Sequence, residues 1–274
     1  VKANGRDGGA GIGGGDEGSG EDITINGGTV NAAGGDYGAG IGGGISGSGE
    51  NITIAGGRVT VAGGDYGAGI GGGFRGNGEN ITITGGTVTA AGGNGAGIGG
   101  GEEGDGKNIT ITGGTVNARG WAGAGIGGGV NASGSNVTVS GAAQVTATVG
   151  KINGINGVGA TIGNGGSETD DGDLVNGEEI QANISGLTTG YIHHIIYDPA
   201  LVSEDNPDGI LKEWWEPERP QPTPEDPNAP AEESNEVDLG TPGLHVETLE
   251  GSLLPFDAQQ QGSTLRVTSD TLAA

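Results

Sequence analysis

Residues 65–91 read DYGAGIGGGFRGNGENITITGGTVTAA, and five near-copies of this stretch fill the first half of the chain. The isoleucine of the GIGGG element recurs with a period of about 28 to 29 residues, at Ile12, Ile41, Ile70, Ile98 and Ile126. An apolar pair begins at the same offset from each of these isoleucines, and a valine follows each pair at a nearly constant offset. A fixed period of this length is typical of stacked repeats, in which neighbouring units complete one another's core. The chain is therefore predicted to be a solenoid.

Each copy contains two segments with the period of a half-buried strand. Residues 80–84 (NITIT) and 87–89 (TVT) alternate polar and apolar side chains and are rich in β-branched residues. The third side of the coil is GAGIGGG, where one isoleucine among glycines fits either a third strand or an extended glycine-rich segment. The predicted fold class is all-β, a parallel β-helix (β-solenoid) of about five to six coils, each with roughly 28–29 residues.

Stacking places residues of equal position in columns that point inward. The columns predicted from the apolar pair are Ile23, Ile52, Ile81, Ile109 and Val137, and beside it Ile25, Ile54, Ile83, Ile111 and Val139. Two further columns contain the GIGGG isoleucines and the valines of the TV segments. Such a core is thin, so backbone hydrogen bonds between coils must supply much of the cohesion.

Composition predicts two domains. Residues 1–178 hold the glycine-rich repeats and end in a degenerate capping coil, in which 159–166 (GATIGNGG) is a worn GAGIGGG that comes later than the period requires. Residues 179–274 form an acidic, Pro-containing region that is expected to be β-rich, with an exposed loop at 216–236. In this region Trp214 and Trp215 are expected to dock it on its neighbour.

The net charge of −25 lies mainly in the second half, since residues 151–274 hold 23 acidic and 4 basic side chains. This balance argues against nucleic acid and anionic membranes as partners, because both are polyanions. The sequence has no apolar run long enough to span a bilayer, so membrane insertion is not expected. It also lacks Cys and Met, even at position 1, which predicts a processed or excised product of an extracellular, cell-surface protein.

The units GAGIGGG, NITITGGTVTA and DYGAGIGGG resemble the glycine-rich repeats of large surface and secreted proteins of Gram-positive bacteria, which are adhesin-like or carbohydrate-binding-like. The resemblance covers residues 8–150 and implies exposure on the cell exterior and contact with glycans, without supplying functional residues. The glycine-rich motifs also resemble, more faintly, those of bacteriophage tail-tip adhesins. Residues 250–256 (EGSLLPF) and 261–267 (QGSTLRV) are similar to the flagellin segment that leads from the outer region back into the helical core.

Two groups of residues are candidate sites. Tyr37 and Tyr66 share the context DYGAG, and Trp121 lies near the same register, so the three aromatic rings are predicted to form a strip on which sugar rings stack. The densest acidic patch is the best-placed calcium site, with the ligands Glu168, Asp170, Asp171 and Asp173. Calcium is the one metal considered, and no other cofactor is expected.

An enzyme is not expected, although parallel β-helices also host polysaccharide-cleaving sites. The basic side chains of the repeats form no distinctive cluster. His193 and His194 are adjacent on an alternating strand, so their rings should point to opposite faces and make a poor dyad.

The leading functional prediction is a non-catalytic, extracellular structural or adhesive module of a bacterial surface protein. One alternative is a carbohydrate-binding β-helix, and another is the surface-exposed outer domain of a filament subunit such as flagellin. The expected partners are glycans or a host or cell-surface molecule, with self-association through the solenoid ends or through filament assembly.

Overall fold

A computed structural model describes residues 1–150, 158–169, 171, 173–218, 256–261 and 264–269. The chain divides into two compact units, residues 1–219 and 220–274. The first is an all-β parallel solenoid, which confirms the predicted fold class. In the second unit, the described residues form one antiparallel hairpin. The described part of the chain contains no helix long and apolar enough to cross a membrane.

The strands, with one short 3-10 turn at Pro199–Leu201, follow one another along the chain in this order: β1 Lys2–Asn4, β2 Ile12–Gly13, β3 Gly20–Glu21, β4 Thr24–Ile25, β5 Thr29–Ala33, β6 Ile41–Gly42, β7 Gly49–Glu50, β8 Thr53–Ile54, β9 Arg58–Ala62, β10 Ile70–Gly71, β11 Gly78–Ile83, β12 Thr87–Ala91, β13 Ile98–Gly99, β14 Gly106–Ile111, β15 Thr115–Arg119, β16 Ile126–Gly127, β17 Gly134–Val139, β18 Gln144–Gly150, β19 Ile162–Gly163, β20 Ser167–Glu168, β21 Leu174–Val175, β22 Tyr191–Tyr197, β23 Ile210–Glu216, β24 Phe256–Gln261 and β25 Thr264–Ser269.

Three parallel sheets form the sides of the solenoid. The TV segments build the first, in the order β1-β5-β9-β12-β15-β18-β22, and the antiparallel strand β23 closes it. The NITI segments build the second, from β3 and β4 to β17. The GIGGG segments build the third, in the order β2-β6-β10-β13-β16-β19. The glycine-rich side of each coil is therefore a short third strand, which settles the alternative that the sequence left open.

The core consists of the predicted columns. Isoleucines of successive GIGGG elements pair directly, for example Ile70 with Ile41 and Ile98. Every isoleucine in the GIGGG column from Ile41 to Ile162 is fully buried. Each buried aliphatic side chain of this kind contributes roughly 1.5–3 kcal/mol relative to an exposed one. The first coil is less enclosed, because Ile12 and Ile23 are only partly buried.

Glycines bring the coils into close contact. Gly42 has a φ of 135°, which L side chains rarely adopt. At Gly49 and Gly78 the backbone conformation is ordinary, but a Cβ atom would overlap the carbonyl oxygen of the next coil, that of Gly71 and Gly99 respectively. These glycines are structural, because the neighbouring backbone occupies the space that a side chain would need.

Asparagines form a hydrogen-bonded ladder along one edge of the solenoid. Its five members have φ values of 53–55°, which Asn and Asp tolerate better than other non-glycine residues. Each asparagine donates its side-chain N–H to the side-chain oxygen of the preceding coil, at distances of 2.6–3.3 Å. The members are Asp22, Asn51, Asn80, Asn108 and Asn136. The ladder explains why each NITI-like segment begins with Asn or Asp.

The described residues between 158 and 197 form a sixth coil, which is longer than the regular ones. Ile162 pairs with Ile126, Asn183 bridges Thr138, and β22 pairs in parallel with β18. The boundary predicted between residues 178 and 179 falls inside this coil, and the assignment of domains stays a prediction. The predicted loop 216–236 lies outside the described residues beyond position 218. Within residues 250–267, where a flagellin resemblance is predicted, the structure describes residues 256–261 and 264–267.

Candidate functional site

Tyr37 and Tyr66 form the centre of a small aromatic cluster. Both follow an aspartate in a GGDYGAG corner, and the period of the repeat places them on adjacent coils. Their rings stack with a centroid distance of 5.0 Å and an interplanar angle of 7°. Phe74 packs against both rings, with centroid distances of 5.9 Å to Tyr37 and 5.6 Å to Tyr66. The sequence therefore predicted the two tyrosines as neighbours but missed Phe74.

The stacking determines which ring surfaces solvent can reach. Because Tyr37 and Tyr66 cover each other's facing sides, a ligand cannot reach the two ring faces between them. Tyr37 is the outer member, 37% exposed, and the first coil carries Gly8 at the corresponding position. Arg75 lies 4.7 Å from the centroid of the Phe74 ring and adds a cation beside the cluster. The cluster thus combines apolar faces with hydroxyl and guanidinium groups.

Trp121 lies apart from the two tyrosines. Asn94 takes the corresponding position in the intervening coil, where its amide donates to Glu102 at 2.8 Å. Burial raises the pKa of the Glu102 carboxyl group, which favours its protonated form. The Trp121 ring contacts Arg119 instead, whose guanidinium lies 4.0 Å from the ring centre. The structure brings together two of the three predicted aromatic residues, and their role in glycan stacking stays a prediction.

The predicted calcium ligands lie on and after β20. Glu168 pairs with Leu174 across the β20–β21 hairpin, and both Asp171 and Asp173 are exposed. Asp170 lies outside the described residues. Among the residues that the structure describes, no three His, Cys, Asp or Glu side chains lie close enough together to hold a metal ion. Calcium binding at these residues therefore stays a prediction.

A polar cluster of Glu179, Thr161 and His194 closes the last coil, with Thr161 and His194 buried and Glu179 exposed. The carboxylate of Glu179 accepts the backbone N–H groups of Thr161 and Ile162 at 2.6 and 3.0 Å. In the preceding coil the corresponding N–H groups, of Gly125 and Ile126, donate to carbonyl groups of the sixth coil. Glu179 thus takes the place that a seventh coil would occupy. Its carboxylate accepts the hydrogen bonds of backbone N–H groups that would otherwise lie at an open sheet edge.

Thr161 connects this carboxylate to His194. The Thr161 hydroxyl has one proton, which it donates to the Glu179 carboxylate at 2.8 Å. It therefore accepts a hydrogen bond from Nδ1 of His194, at 2.6 Å, which indicates the neutral imidazole protonated at Nδ1. His194 is 3% exposed and occupies the column position of Ala147 in the coil before. Sequence reasoning missed Thr161 and Glu179, whose only signal is that they break the repeat.

Two histidine–tryptophan stacks hold β23 against β22. His194 stacks on Trp214 with centroids 4.4 Å apart, and His193 stacks on Trp215 at 3.8 Å. His193 also contacts the Glu213 carboxylate at 3.0 Å and is more exposed than His194. The two imidazole rings therefore lie on opposite faces of β22, as predicted, and the two tryptophans fix the closing strand as expected.

The second nitrogen of His194 is buried without a hydrogen-bond partner among the described residues. Its nearest charged neighbour is the Glu216 carboxylate, 3.9 Å away. Burial, with further contributions from the charges of His193 and Lys212, lowers the pKa of His194 from 6.5 to about 4. Burial also raises the pKa of Glu216. The cap formed by Glu179, Thr161 and His194 therefore contains a histidine that stays neutral near pH 7.

Comparison with known proteins supports the same class. A family model described as a beta helix repeat matches residues 1–16, 23–45, 52–74, 81–102 and 109–130. These segments fall on the regular coils, so the match supports the repeat β-helix fold that the structure shows. The comparisons with curated proteins and with solved structures found no match. The resemblances to Gram-positive surface repeats, phage adhesins and flagellin stay expectations.

Proposed function

We propose that the chain is a non-catalytic structural and adhesive module of an extracellular bacterial surface protein. The observation that carries this proposal is the unbroken coil-to-coil bonding of the solenoid. Sheet hydrogen bonds and the asparagine ladder connect the coils from Asp22 to Asn136, and the sixth coil closes the stack. A rod bonded in this way holds its outward side chains at fixed spacing.

The outward surface suits display. One file of threonines runs along the NITI sheet in continuous register, and threonine is well suited to a solvent-facing strand. The file consists of Thr24, Thr53, Thr82, Thr110 and Thr138. The net charge of −25, most of which is carried by residues 151–274, adds repulsion between the chain and other acidic polymers.

Surface labelling tests this proposal. We expect antibodies raised against residues 1–150 to label intact cells that produce the protein, and an external protease to remove that label. Beads coated with the chain should adhere to the cells or surfaces that the producing organism colonises, whereas beads coated with an unrelated acidic protein should not. Labelling that requires lysis of the cells would contradict an extracellular role.

A second candidate function is carbohydrate binding at the aromatic cluster. It is favoured by the combination of the exposed Tyr37 ring with the Tyr66 hydroxyl and the Arg75 guanidinium. Aromatic rings with polar rims are suited to contact the C–H faces and hydroxyl groups of sugars.

Replacement of both tyrosines tests carbohydrate binding there. If the cluster binds glycans, the Tyr37→Ala/Tyr66→Ala variant should lose at least tenfold in affinity on a glycan array. Trp121→Ala, which removes an aromatic ring outside the cluster, serves as the matched control and should bind as the unmodified chain does. Equal binding by the double variant would rule out the cluster as the glycan site.

A further inference from the structure

A groove of about 390 Å³, lined by polar and apolar atoms in similar proportion, lies in the sixth coil beside the β20–β21 hairpin. The groove is lined by side chains from both of the last two coils, among them Asn131, Ser133, Ser167, Val175, Asn176 and Glu178. Its volume lies at the lower end of the range of roughly 300–1,000 Å³ that small-molecule sites span. The groove is thus large enough for a small ligand and too small for a folded partner.

An insertion into the repeat creates one wall of the groove. In the regular coils the apolar pair follows the GIGGG isoleucine at a short, fixed offset, as Ile81 follows Ile70. In the sixth coil the residue at the position of Ile81 is Ala182, because the next residue, Asn183, bridges Thr138 of the preceding coil. The interval from Ile162 to Ala182 is nearly twice the regular offset. Among the described additional residues, β20 and β21 pair as an antiparallel hairpin. Insertions into solenoid repeats project from one face and often form the binding surface there.

The lining offers hydrogen-bonding groups that the described residues leave free. The side chains of Asn131, Ser133 and Glu178 form no hydrogen bond with any described residue. Asn176 is held in place because its side-chain oxygen accepts the N–H of Val158 at 3.0 Å, and its amide N–H groups stay available. Amide, hydroxyl and carboxylate groups from two coils and a hairpin therefore meet around one cavity.

The composition of the lining indicates the chemistry of the ligand. Glu178, with Glu168, Asp171 and Asp173 of the adjoining hairpin segment, disfavours an anion, and a lining divided about evenly between polar and apolar atoms favours a ligand that has both polar groups and apolar faces. A saccharide fits, because its adjacent hydroxyl groups both donate and accept, as amide and hydroxyl side chains do. Val175, 43% exposed, can contact the C–H face of a sugar ring.

We propose that this groove binds one or two sugar units of a neutral or amino-substituted glycan. The inference rests on carbohydrate binding, the second candidate function above, but assigns it to a site separate from the Tyr37 cluster. The acidic hairpin beside the groove favours a sugar with a free amino group over one with a carboxylate.

Titration of the full chain with defined disaccharides tests this site. The probes are cellobiose, the disaccharide of N-acetylglucosamine and the disaccharide of glucosamine, followed by calorimetry and by saturation-transfer NMR of the sugar protons. The test variant is Asn131→Gly/Glu178→Gln, because glycine accepts the φ of 61° at Asn131 and glutamine preserves the shape of Glu178. Ser46→Gly is the matched control, since Ser46 has a φ of 58° and lies outside the groove.

The groove is supported if at least one disaccharide binds and the test variant weakens its binding at least tenfold, while Ser46→Gly and Tyr37→Ala/Tyr66→Ala bind normally. Binding that only the tyrosine variant abolishes would overturn the groove and leave carbohydrate binding in place. The groove is also ruled out if binding survives in the test variant. If none of the probes binds the unmodified chain, both the groove and carbohydrate binding of these sugars are wrong.

Discussion

Alanine in place of Gly78 should lower the free energy of unfolding by about 3 kcal/mol or more. Gly78 begins β11 and pairs with Gly49 and Gly106 in the adjacent coils. The added methyl group would overlap the carbonyl oxygen of Gly99, which is backbone and has no rotamer by which to move away. The coils would have to separate at this point, which lengthens their hydrogen bonds and opens the aliphatic core.

The matched control is Gly27→Ala, since a Cβ atom at Gly27 meets no atom within 4 Å. This substitution should change the free energy of unfolding by less than about 0.5 kcal/mol. Urea unfolding followed by circular dichroism compares the two variants, with hydrogen exchange to identify coils that open locally. Equal stability of both variants would show that the column of glycines to which Gly49, Gly78 and Gly106 belong is not required for close stacking of the coils.

The core could be predicted because its signal is periodic. Ile70, for example, is one of five isoleucines in identical contexts, and a spacing that is constant to within one position has few explanations other than stacked coils. Strand pairing then follows, since residues of equal position must lie side by side. The same logic correctly placed Tyr37 beside Tyr66.

Features that depend on contacts across the coil were harder to predict. Phe74 reaches both tyrosines from a different corner, and it has no counterpart in the neighbouring copies, where Ile45 and Glu102 stand. The asparagine ladder was not predicted for another reason: Asn80 is a polar residue within β11, and its positive φ has no effect on the hydrophobic pattern.

A degenerate capping coil was predicted from residues 159–166, but its extent and closing residues were not, because its insertions break the period. Ile162 follows Ile126 at a longer interval than the regular copies show, and the hairpin separates it further from Ala182. Its closing elements are also single substitutions in columns of small residues, with Thr161 following Gly125 and His194 following Ala147. Such residues can be recognised as a cap only in the structure, where Glu179 occupies the position of a further coil.

The sixth coil should lose stability as the pH falls from about 6.5 to 4, by about 3 kcal/mol in total. The pKa of His194 is about 4 in the folded chain and 6.5 in a solvated histidine, so the unfolded state takes up its proton first. The stabilisation is therefore complete above pH 6.5 and is lost progressively below it. Glu216 acts in the opposite direction, because its raised pKa favours proton uptake by the folded chain and offsets part of the loss.

Replacement of His194 separates the contributions of His194 and Glu216 to the pH dependence of stability. His194→Asn removes the titrating group, so the remaining pH dependence in this range should be weaker or reversed, as Glu216 alone would make it. His193→Asn is the comparison, because it removes the more exposed neighbour on the opposite face of β22. Most of the acid sensitivity should remain, since burial is the main cause of the lowered pKa of His194 and the His193 charge is only a further contribution. Urea unfolding at a series of pH values, followed by tryptophan fluorescence, reports on the cap because Trp214 stacks on His194. An unchanged pH slope in His194→Asn would mean that other groups destabilise the chain in acid, since the protonation of a buried imidazole could then not be the cause.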